Sequence, residues 1–157
     1  MQLTQPTSGQ KSRFSYSANG LDSLSLASLA CRLKTTGSQP KSPLVIITSS
    51  AFDAQRLLEE IPYFAPELSL HLLPDWETLP YDVFSPHPDL ISERLATLYQ
   101  ISQNLCDVVI VPIFTALLRL PDVVYLARHT FMLKKGQKLN LDALRHQCAQ
   151  AGYHHER

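Results

Sequence analysis

The stretch "DVVIVP", residues 107–112, decides the fold. It is a short, almost unbroken aliphatic run, the pattern of a strand covered on both faces within a parallel sheet. "IFTALLRL", residues 113–120, follows with no linker and reads as a helix leaving the strand's C-terminal end. Upstream, "LVIITS", residues 44–49, repeats the aliphatic pattern and is expected to be a central strand too. Between these two runs, "SAFDAQRLLEEI", residues 50–61, turns Leu57, Leu58 and Ile61 to one side and Phe52, Gln55 or Arg56, and Glu59 to the other, a short amphipathic helix expected to close at Pro62. "LSLHLL", residues 68–73, restores the strand pattern, and Asp89 opens a helix whose Ile91, Leu95, Leu98 and Ile101 share a face.

The same alternation continues toward both ends. Asp22 or Ser23 is expected to cap a helix carrying Leu26, Leu29, Ala30 and Leu33, ended by "TTGSQPKSP" at 35–43. "HTFMLKK", residues 129–135, reads as a strand, and Asn140 caps "LDALRHQCAQAG" before Gly152. Strands too apolar for a wet face, alternating with helices, predict an α/β fold, a parallel sheet flanked by helices. Residues 1–20 are polar and aperiodic, a loose lead-in; 21–152 form the α/β domain; 153–157 look like the start of a following segment.

With 157 residues and 45% hydrophobic content the chain has enough apolar mass for one core. No apolar run approaches the length of a membrane span, and the polar N-terminus lacks the apolar middle of a secretion signal, so a cytoplasmic location is expected. Cys31, Cys106 and Cys148 are an odd number without a CxxC pair, which points to buried apolar side chains rather than disulfides or zinc. The zero net charge hides a segregation: five basic and one acidic residue in 1–43, two basic and ten acidic in 53–107, six basic and two acidic in 128–157. Phosphate contacts would therefore have to come from the ends, with Lys134, Lys135, Lys138 and Arg145 as the candidate nucleic-acid contacts.

Catalytic constellations are missing from the sequence. A phosphate-cradling loop needs glycines and a lysine between a strand and a helix. "SGQKS", residues 8–12, follows no strand, and "ANGLDSL", residues 18–24, has Gly20 but no lysine. Asp75, Glu77, Asp82, His87, Asp89 and Glu93 are dense, yet no carboxylate-x-Lys partner follows to complete a nuclease-type metal site, and His154 and His155 read as a solvated terminal pair. No G-x-S-x-G elbow exists, and apolar surroundings raise rather than lower the thiol pKa of the cysteines.

The least ordinary segment is "LPDWETLPYDVFSPHPDLISERL", residues 73–95, with the only tryptophan, four prolines and five carboxylates. Pro74, Pro80, Pro86 and Pro88 fix their own φ and keep each preceding residue out of the helical region, so the connection is stiff. Trp76, Tyr81 and Phe84 are its expected anchors. Asp75, Glu77 and Asp82 are its expected polar pins, with peptide N–H groups or arginine as their natural partners and Arg94, in the following helix, as the candidate cation.

The stretch "LPDWETLPYDVFSPHPDLISERLATLYQI", followed by "DVVIVPIFTALLRL" and "FMLKKGQKLNLDALRHQCAQAGY", resembles the N-terminal module of the bacterial transcription-repair coupling factors, the Mfd family, well over residues 44–157 and weakly over 1–43. The most specific motifs are W-E-T-L-P-Y-D, S-P-H, S-x-R-L-x-T-L-Y-Q and K-K-G-Q. The resemblance implies a fold similar to the first domain of the excision-repair protein UvrB, a degenerate helicase sheet here lacking a Walker A loop. It also implies a parent that moves along duplex DNA at the expense of ATP and magnesium, displaces stalled RNA polymerase and recruits UvrA. In the family the motor lies far downstream, and the UvrA-contacting surface lies mostly in the domain beyond Gly152. No cofactor is then expected in this chain, and its expected role is a non-catalytic scaffold for UvrA recruitment. The alternative is a DNA-binding module built on the basic C-terminal segment.

Overall fold

Among the described residues three parallel strands, β1 (Leu44–Thr48), β2 (Leu70–Leu72) and β3 (Val108–Pro112), lie in the order β1-β3-β2. Around them in the chain run α1 (Leu21–Thr35), α2 (Ala51–Phe64), α3 (Pro88–Ser102) and the single turn α4 (Ile113–Ala116). The computed structural model describes residues 9, 11–15, 20–35, 42–76, 85–129 and 135–150. Backbone contacts divide the chain into two units, residues 1–118 and 119–157. The second unit holds α5 (Val123–His129) and α6 (Leu141–Gln150). The expected α/β class, a parallel sheet flanked by helices, is what the first unit has.

β3 is the central strand and is buried along its whole length. Its register pairs Ile110 with Ile46 on one side and with Leu72 on the other, so these side chains share a face. On that face Ile46, Val108 and Ile110 pack with Ala54, Leu57 and Ile61 of α2, and with Ala27 and Ala30 of α1. The stripe expected for α2 is therefore the one it buries, while Phe52 stands out in solvent.

Several expectations need correcting. Among the described residues β1 lies at an edge, not centrally, and its burial alternates: Ile46 and Thr48 are buried, whereas Val45 and Ile47 are 55% and 57% exposed. An aliphatic run satisfies one covered face as well as two, so the pattern alone does not fix strand position. α1 starts at Leu21, directly after Gly20 at φ 77°, which places Asp22 and Ser23 inside its first turn instead of at the cap. α2 runs through Pro62 to Phe64. Pro62 lies in its last turn, and the Ala65 N–H still donates to Ile61 O at 3.0 Å, so only the bond that Pro62 cannot donate is forfeited.

α3 begins at Pro88, and His87 Nδ1 accepts the Asp89 N–H at 3.3 Å. Its buried residues are Arg94, Thr97 and Leu98, a face that includes two polar side chains the apolar periodicity passed over. α4 ends at Ala116, well short of the expected helix over 113–120, and the Leu117 and Leu118 N–H groups close it on Ile113, Phe114 and Thr115 carbonyls. α5 was not anticipated. Its start is marked by Asp122, whose Oδ1 accepts the Val124 N–H at 2.8 Å just after Pro121. His129 closes α5, so the expected strand at 129–135 does not begin there; Lys135 lies in a turn, and 130–134 fall outside the described residues. The Asn140 cap is as expected, with Oδ1 accepting the N–H groups of Asp142 and Ala143 at 3.1 and 3.2 Å. Cys106 is buried, and Cys31 and Cys148 are half-buried.

Candidate functional site

The connection rich in proline leaves β2 at Leu73, and its first residues are held by α3. Thr97 Oγ1 donates to Leu72 O at 2.9 Å, and Arg94 Nη1 donates to Pro74 O. The donors stand three residues apart on a helix, about 4.5 Å along its axis. The acceptors stand two apart on extended chain, about 6.6 Å. The longer arginine side chain spans the difference. In this way α3 occupies carbonyls on the side of β2 away from β3, where a further strand would otherwise bond.

Arg94 is 3% exposed, and its guanidinium lies 4.3 Å from the centroid of the Trp76 ring. Burial lowers its pKa from the ordinary arginine value, and the nearby Asp75 carboxylate acts in the opposite direction. Asp75 Oδ1 accepts the Trp76 N–H at 2.8 Å. Arg94 Nε has no hydrogen-bond partner among the described residues. The charge is thus supported by a carbonyl, an aromatic face and a neighbouring carboxylate; of the two partners the sequence left open for Asp75, a peptide N–H or the arginine, this carboxylate takes the peptide N–H of Trp76. Asp75, Trp76 and Arg94 are brought together; Glu77, Tyr81, Asp82 and Phe84 lie outside the described residues.

Two ionic clusters escaped the sequence reading. At the start of β3, Asp107 Oδ2 accepts from Lys34 Nζ of α1 at 2.8 Å and from the Ser69 N–H at 3.0 Å, and its backbone carbonyl takes the Leu44 N–H at 2.9 Å. One residue therefore joins the beginnings of all three strands to α1. Between α1 and α2, Arg56 donates to Asp22 and to Glu60, each at 2.8 Å, while the fully buried Ser23 hydroxyl lies 2.5 Å from Glu60 Oε2. The Arg56 hydrogen bond is the main cause holding the Asp22 carboxyl below its usual range. Asp53 is lowered as well, by the hydroxyls of Ser49 and Ser50, and Ser50 caps α2 by accepting the Asp53 N–H at 3.0 Å. An aspartate just before a buried strand was the available signal for Asp107; Asp22 and Arg56, 34 positions apart, left no local one.

Among the described residues no three His, Cys, Asp or Glu side chains are placed to hold a metal, and no helix is long and apolar enough to cross a membrane. Burial raises the Cys106 thiol pKa, which works against thiolate chemistry there. In the second unit Lys135, Lys138 and Arg145 are exposed, with Arg145 Nη1 3.6 Å from Asp142 Oδ1; Lys134 lies outside the described residues. The described geometry fixes backbone and joins elements.

No family model matches the chain. It is 42% identical to the transcription-repair-coupling factor of Escherichia coli K12 over 135 residues, 86% of this chain and 12% of that relative. With the transcription-repair-coupling factor of Haemophilus influenzae Rd it shares 34% identity over 134 residues, 85% of this chain and 11% of the relative. The matched segment belongs to the transcription-repair-coupling factor family. A Rickettsia bellii transcription-repair-coupling factor is 29% identical over 66% of the chain. The chain thus spans about an eighth of the length of the first two transcription-repair-coupling factors it matches.

Proposed function

We propose that this chain acts in transcription-coupled nucleotide excision repair as a non-catalytic, UvrB-like scaffold. In this reading it supports an adjoining surface that recruits UvrA to a stalled RNA polymerase, in the cytoplasm, within a parent that carries its ATP- and magnesium-dependent DNA motor elsewhere. The observation that carries the reading is the 42% identity to a transcription-repair-coupling factor over 86% of the chain. Two further features support it. The sequence contains no G-x-x-x-x-G-K-[ST] loop to cradle a nucleotide. Asp75, Trp76 and Arg94 hold the entry to the family's most specific stretch by fixing the chain, an arrangement suited to presenting a neighbour rather than to transforming a substrate.

The test is capture of purified UvrA by this chain and, in parallel, by a version extended through the next domain of a full-length relative. Capture by the extended version alone is the expected result. Capture by the short chain would move part of the recruitment surface onto residues 1–157. Failure of both versions to bind UvrA would overturn the proposal.

A further inference from the structure

We draw no further inference here: the strongest candidate, the uncovered face of edge strand β1, where Val45 and Ile47 stand 55% and 57% exposed next to α4 with its exposed Phe114, carries nothing because nothing in the structure shows what covers it.

Discussion

Burying Arg94 takes a full charge out of water, which costs several kcal/mol unless its surroundings compensate. A charge-assisted bond to Pro74 O and the face of Trp76 are the compensating groups. Trp76→Ala should therefore destabilise the protein by about 1 to 3 kcal/mol, through lost ring burial and a less stabilised cation. Part of that loss belongs to the pair. A double-mutant cycle with Arg94→Met, read by urea unfolding, should give a coupling of about 0.5 to 2 kcal/mol; strictly additive effects would show that the stacked geometry contributes nothing. Asp22 behaves differently because its energy depends on pH. Its folded-state pKa is depressed, chiefly by Arg56, so the unfolded chain binds the proton more readily. Its contribution is complete above the ordinary aspartate pKa and is lost as pH falls through the lowered folded-state value. Asp22→Asn should consequently lower stability near neutrality and flatten the acid limb of the stability–pH curve. An unchanged limb would mean that Asp53 and Glu67, whose pKa values are also lowered, dominate acid unfolding instead.

At the scale of elements, α3 and β2 meet through polar groups that the helix pattern hides. Thr97→Val keeps the shape of the side chain but leaves Leu72 O without its donor, and should cost about 1 to 2 kcal/mol, while Thr97→Ser retains the hydroxyl and should cost less. Equal losses in denaturant melts for the two variants would place the effect in packing rather than in the hydrogen bond. The same contact explains what the sequence could convey. Strand and helix identity were legible wherever short-range pattern decides them: the aliphatic run of β3, the Leu57 and Ile61 stripe of α2, the Asn140 cap of α6. Strand position was not, because whether Val45 and Ile47 are covered depends on what packs across them, not on their own neighbours in the chain. α5 is not legible because a valine pair after Pro121-Asp122 reads as readily extended as helical, and the aspartate cap is its one local helical signal. Of the candidate site, Asp75, Trp76 and Arg94 were legible from composition around the prolines. Arg94 bonding to a carbonyl was not, since the choice between backbone and carboxylate acceptors is made by the path of the chain.

Among the described residues, the main hydrophobic cluster draws its buried members from between Ala27 and Ile110, and the pairings that order the sheet fall between Leu44 and Pro112. The ties between distant segments follow the same boundary: Lys34 to Asp107, Arg56 to Asp22 and Arg94 to Pro74 each join two points within residues 1–118. A polypeptide ending at Leu118 keeps this cluster, these ties and both neighbours of β3. Cooperative unfolding rests on such a shared set of buried contacts, so the shortened chain should melt in one transition. Its circular dichroism should retain the α/β signature, with helical signal reduced by the share that α5 and α6 contribute. Matching midpoints from far-ultraviolet circular dichroism and from the fluorescence of Trp76, in this chain and in the shortened one, would establish residues 1–118 as the folding unit. A shortened chain with no sigmoidal transition would instead make residues 119–157 part of the cooperative structure, and the sheet would then owe its stability to contacts beyond its own core.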